Sequence, residues 1–376
     1  MDLYLIVLLV SALVVGLCLR QRNKKPRRNV AVGRNAEKSA NDGKITPPPS
    51  ITPLPAFDYT TVRPTQFRPY KPAYHITMAL QSSLPEDLIV LDSNYRERIK
   101  TRRRLMESNP NIVMGTIGTP GAKAAVDELY AYLMDYLPAR YSSIFTRAAS
   151  TASLHNAATG QDIPRSPPTN PLDALRTLGE TVEDDLFLLQ EEDIQTLAGD
   201  DGPAYPETSH RLVAFLCCFP SGFDPSAKLG LLLRDIHKPV PSYDKIGPSM
   251  ERFFKRLAVG QSVRRLNWSV QTHANLFVPN GNHVHKGDDV EHDADVDIAQ
   301  THLRVECQTL TRLPATKLIL FSFKTHLFPL QDLKSEGVGP DLADAIEGLK
   351  KGNAPGMWTY KGGVRWGKAV CEYLRS

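Results

Sequence analysis

Residues 302–310, HLRVECQTL, alternate without a break. Leu303, Val305, Cys307 and Thr309 fall on one side of an extended chain, and Arg304, Glu306 and Gln308 on the other. Such a run specifies a strand with one apolar and one polar face. RRLNWSVQ (264–271) and KLILFSFKTHL (317–327) read as its neighbours in sequence, and LVAFLCCF (212–219) as a short apolar strand. Upstream the period changes. AKAAVDELYAYLMDYLPARY (122–141) carries Val126, Leu129, Tyr132, Leu133 and Tyr136 at helical spacing and ends at Pro138. PLDALRTLGETVEDDLFLLQ (171–190) sets Leu172, Leu175, Leu178, Val182, Leu186 and Leu189 on one stripe, which predicts a single helix with Glu183, Asp184 and Asp185 midway. PSMERFFKRLA (248–258) and PDLADAIEGLKKG (340–352) add two more helices, the last stopped by Gly352. Helices cluster early and strands late, so the fold class is α+β with a largely antiparallel sheet.

The polar row Arg304–Glu306–Gln308 fits two settings. It is either the wet face of a half-exposed strand or the wall of a ligand cavity. Composition narrows the partners. The net charge of +4 is unevenly placed: residues 1–44 hold nine Lys/Arg against three Asp/Glu, so the remaining chain carries −2. The body is therefore not a basic nucleic-acid-binding surface, and no nucleic-acid partner is expected. The five cysteines have no spacing suited to zinc or to a disulfide framework, and a reducing compartment suits the body.

Residues 3–19, LYLIVLLVSALVVGLCL, form an uncharged apolar run long enough to span a bilayer, followed at once by RQRNKKPRR. Charge behind the run rather than before it predicts a signal anchor over residues 1–20 with the body on the cytosolic side, on the endoplasmic reticulum or another endomembrane. Residues 21–64, basic and then Pro-rich (TPPPSITPLP), read as a tether drawn to anionic headgroups. The body is expected over 65–352, with residues 353–376 as a C-terminal tail.

Two segments carry candidate ligands. Residues 281–300 crowd His283, His285 and His292 among acids, a set able to hold a transition metal, but nothing apolar in the segment would shield or orient such ligands, and a solvated acidic loop is the expected reading. In LRDIHKPVP (233–241), His237 follows Leu231, Leu232, Leu233 and Ile236 and precedes two prolines that stiffen the backbone. An imidazole on a rigid apolar segment suits an axial haem ligand, although a lone core histidine looks the same.

LRDIHKPVP, PSGFDPSAKLG (220–230), SVRRLNWSV (262–270) and LRVECQTLTRLP (303–314) occur in the order and near the spacing of one family. Together they resemble the haem-dependent oxidative N-demethylases and their relatives. RPYKPAYHITMALQ, VLDSNYRERIKTRRRLM and TVEDDLFLL match the family's N-terminal part, so the resemblance covers about residues 65–350. It implies a PAS-like fold, haem b as cofactor, and a monooxygenase that uses dioxygen to oxidise an N-methyl amine with release of formaldehyde. Electrons would come from an NAD(P)H-dependent reductase partner, since the chain has no Gly-rich dinucleotide loop.

By the same resemblance, His237 is the proximal iron ligand. Glu306 is the candidate catalytic acid or base, and Arg304 and Arg312 are expected to hold the haem propionates. Gln308 orients a neighbour, and Arg265, Asn267 and Trp268 support the site. Cys307 stands where the family commonly has a basic residue, and the 281–300 segment separates two family strands. A non-catalytic haem or small-molecule sensor on the same PAS-like fold is the alternative.

Overall fold

The computed structural model describes residues 49–376 apart from 69, 148–151, 194–207, 286 and 294. Ten strands run in chain order: β1 (Gln81–Ser83), β2 (Met114–Thr116), β3 (Phe145–Arg147), β4 (Ser153–Asn156), β5 (Gln161–Pro164), β6 (Asp185–Asp193), β7 (Thr208–Leu216), β8 (Ser262–Gln271), β9 (His302–Arg312) and β10 (Ile319–Pro329). Seven form one sheet in the order β1-β8-β9-β10-β6-β7-β2, and β3-β4-β5 form a small second sheet. Every pairing between named strands is antiparallel. The expected α+β class with a large antiparallel sheet and flanking helices is what the chain adopts.

The register fixes what each face presents. Glu306 pairs with Asn267 on one side and Thr325 on the other, and Gln308 with Arg265 and Phe323. Cross-strand partners share a face. One face of the sheet thus carries Arg265, Asn267, Glu306, Gln308, Thr325 and Phe323, and the opposite face carries Cys307, Val305, Lys324, His326 and Trp268. Trp268 therefore points away from the face that holds Asn267.

The long helix spans Pro120–Arg140, with Thr119 accepting from the Ala122 N–H and Pro120 in the first turn, where a missing N–H costs nothing. It passes through Pro138 rather than ending there, because the proline falls in the last turn. Its buried stripe includes Val126, Leu129, Leu133 and Tyr136, as the spacing predicts.

The segment 171–190 departs from the expected single helix. The helix, capped by Asn170, stops at Gly179, and Asp185–Asp193 is β6, a central strand between β10 and β7. Leu186–Leu189 are buried on both faces, and a fully buried strand shows a continuous apolar run that mimics a helical stripe. Glu183, Asp184 and Asp185 are consequently buried in a turn and strand start rather than solvated on a helix.

Residues 353–376, read as a tail, are folded as the helices Met357–Tyr360 and Gly363–Arg375. Trp366, Val370, Cys371 and Leu374 join a core with Leu303, Val305, Leu342 and Ile346. One compact unit spans Ile45–Ser376. No helix among the described residues is long and apolar enough to cross a membrane, and the run 3–19 with most of the tether lies outside the described residues.

Candidate functional site

The four-residue helix Leu233–Ile236 ends on His237. The His237 Nδ1 lies 2.8 Å from the Leu233 carbonyl oxygen. A carbonyl only accepts, so Nδ1 carries the proton and Nε2 keeps a free lone pair. The ring stacks on Tyr243 at 4.8 Å between centroids, only 6° from parallel. Burial holds its pKa below the usual imidazole range, and the nearby positive charges of Arg265 and Lys228 act in the same sense. The result is an oriented imidazole whose neutral form leaves Nε2 unprotonated.

This segment packs on the sheet face that carries the polar row. Leu233, Tyr243, Met250 and Phe254 form one apolar cluster with Phe187, Phe215 and Phe323 from the strands. Phe187 is the hub of the aromatic part, with Phe215, Phe321 and Phe323 at 6.2, 5.9 and 5.7 Å. Beside this apolar wall stands Glu306. Its Oε2 accepts from Asn267 Nδ2 at 3.2 Å and from Gln308 Nε2 at 3.0 Å, and its Oε1 faces Arg304 Nε at 3.8 Å. Gln308 and Asn267, expected to orient and support the site, thus both donate to the Glu306 carboxylate. The Thr325 hydroxyl, next across the sheet, is buried without a hydrogen-bond partner.

The three arginines divide. Arg304, 1% exposed, donates to the Phe219 and Leu276 carbonyls and so ties two loops to β9. Arg312 donates to the carbonyls of Phe254, Leu257 and Lys317, capping the C-terminal end of the helix Gly247–Arg256. Both expected propionate holders are engaged with main chain. Arg265 makes no such bonds: its Nε is buried without a partner, and burial lowers its pKa even though Tyr74 and Glu306 oppose the shift. It lies within electrostatic reach of both His237 and Glu306, which links the two halves of the site.

Two contributors lie outside the motifs. Lys361, from the segment expected to be a tail, sits on the β8 edge with its Nζ on the Trp268 carbonyl and 3.2 Å from Asn267 Oδ1. Burial pulls its pKa down to about 8, against the pull of Glu306. The second is a buried pair, His210 Nδ1 to Glu251 Oε2 at 2.7 Å, with Ser209 Oγ donating to the other oxygen. The His210 Nε2 is buried and unpartnered. Nothing local in the sequence announces either, since their partners lie 94 and 41 residues away.

In the 281–300 segment, His283 stacks on Tyr360 at 4.3 Å and burial drives its pKa to about 3, while His285 is exposed. Among the described residues no cluster of three metal-ligating side chains occurs. The segment is not simply solvated: Val284 is buried, and main-chain bonds tie the loop to Tyr360 and Val364.

A neutral histidine with an unprotonated Nε2 thus stands over a sheet face that carries buried phenylalanines, a carboxylate and an arginine whose Nε has no hydrogen-bond partner. The family comparison is specific. The chain belongs to the haem-dependent oxidative N-demethylase, alpha subunit-like family, whose model matches residues 79–371. The donor set suits haem at two points: His237 offers an unprotonated Nε2 to an iron, and Arg265 carries a buried, unpartnered Nε that could meet a propionate, while the phenylalanine cluster is packed as core beside them.

Proposed function

We propose that this protein is a haem b monooxygenase that removes an N-methyl group from an amine, on a PAS-like domain supplied with electrons by an NAD(P)H-dependent reductase. The observation that carries the reading is the His237 Nδ1–H bond to the Leu233 carbonyl, which fixes the tautomer a metal ligand needs. Haem supplies the oxygen chemistry when bound. The chain's own residues do the rest. His237 would hold the iron through Nε2, its ring kept in place by stacking on Tyr243. Arg265 neutralises a propionate. Glu306, aimed by Asn267 and Gln308, receives the amine N–H and carries its proton. The aromatic wall keeps water from the reacting carbon. The apolar run 3–19 and its basic flank anchor the body to an endomembrane, on the cytosolic side where such reductases work.

The test is the absorption spectrum of the full chain produced with added haem precursor, beside its His237→Ala variant. A sharp Soret band that shifts with dithionite and carbon monoxide, and is lost in the variant, is expected. The substitution removes the Tyr243 stack and the hydrogen bond to the Leu233 carbonyl and should cost about 1–2 kcal/mol of stability, which leaves the chain folded. A folded wild-type chain with no Soret band after haem reconstitution would remove the reading.

A further inference from the structure

A cavity of about 540 Å³ opens beside the His237 turn, lined by Lys238, Pro239, Pro241, Val284, His285, Gly356, Thr359 and Tyr360. Three stretches distant in sequence meet here: the HKPVP motif, the 281–300 loop and the C-terminal helices. The volume lies within the range of small-molecule sites. Its chemistry is one-sided. The prolines, Val284 and the Tyr360 ring give an apolar waist, Thr359 a hydroxyl, and Lys238 and His285 the ionisable groups. Among the described residues no carboxylate lines it. Asp288, three residues beyond His285, accepts from the His285 main-chain N–H at 2.7 Å.

Tyr360 joins this cavity to the site already described. It lines the cavity, and its chain neighbour Lys361 reaches Asn267 Oδ1 at 3.2 Å, the same amide whose Nδ2 donates to Glu306 at 3.2 Å. On the Glu306 side the charge balance is also positive. Arg304 and Lys361 surround the single carboxylate before Arg265 is counted. A bare ammonium finds one acid among several cations there. An amine that carries its own carboxylate brings no net charge and places its anion where Lys238 and His285 stand.

Resting on the demethylase reading, we propose that the cavity receives the carboxylate end of the substrate, and that the substrate class is N-methylated amino acids rather than simple alkylamines. The amine end meets Glu306, Tyr360 forms the wall between the two ends, and Lys238 with His285 selects the anion.

The experiment is calorimetric binding to the haem-loaded full chain, with formaldehyde release measured in parallel. N-methylglycine and its longer ω-amino homologues are compared with N-methylalkylamines of matching length. At least one chain length should bind about tenfold or more tightly with the carboxylate than without it. Lys238→Glu and His285→Ala, both at exposed positions that spare the fold, should each shrink that ratio, the charge reversal more. Formaldehyde from alkylamines with no carboxylate preference, or a preference that Lys238→Glu leaves intact, overturns the inference while the demethylase reading stands. Carboxylate binding without formaldehyde from any amine overturns both.

Discussion

The two faces of the strands β8, β9 and β10 handle charge in opposite ways. On the face away from His237, Lys324 Nζ sits 2.8 Å from Asp92, contacts Glu183, and donates to the Val90 carbonyl at 2.7 Å. His326, with its pKa held near 4 by burial, closes the same group beside Asp92. Nearly all of this charge is buried, and its cation is satisfied from three sides. On the near face Arg265 lacks a partner, Thr325 has a spare hydroxyl, and Glu306 is held by amides whose donors leave one oxygen at long range from Arg304. A paired buried cluster fixes a fold, whereas open valences on a structured face wait for a ligand. The sheet thus carries a cation closed in by carboxylates on one side and a cation and a hydroxyl left open on the other, although Asp184 keeps one unpartnered oxygen on the closed side.

Breaking the far face should produce the largest effect. Lys324→Ala leaves Asp92 and Glu183 buried and uncompensated, and about 3–5 kcal/mol of stability should be lost in urea unfolding. An unchanged midpoint would mean that the cluster is not closed in solution.

The same cluster should set a pH dependence. Burial pushes the Asp184 carboxyl up to about 7, with Lys324 opposing. Between about pH 4 and 7 the folded chain then holds a proton that the unfolded chain has released, so stability falls as pH rises through this window and levels off above it. The slope is at most about 1.4 kcal/mol per pH unit, and Asp184→Asn should flatten it. Equal slopes in the two proteins would assign the titration elsewhere.

The smallest effect on stability belongs to the near face. Arg265→Leu removes a cation whose Nε has no hydrogen-bond partner and whose charge is balanced only by Tyr74 and Glu306 nearby, so the folding free energy should change by about 1 kcal/mol or less, well below the Lys324→Ala loss. Haem should nonetheless dissociate faster from the variant in a transfer assay to an acceptor protein. A large destabilisation would make Arg265 structural and erase the distinction between the faces.

The alternation in 302–310 determined β9, its two faces and the row of Arg304, Glu306 and Gln308, because a strand's period of two depends only on local geometry. The HKPVP motif likewise marked His237 through its stiff, apolar surroundings. Local pattern failed at 182–193, where an apolar run buried on both faces has no period that distinguishes strand from helix. Only the tertiary structure decided which cations are used and which are free. Arg304 and Arg312 are drawn off by carbonyls 28 to 85 residues away or at a helix end, while Arg265 meets none. It also brought Lys361, Tyr360 and His285 to the site from a stretch that read as tail and a stretch that read as loop. A residue's type and spacing fix what it offers chemically; how much of that offer the fold consumes depends on neighbours distant in sequence, and no local pattern encodes them.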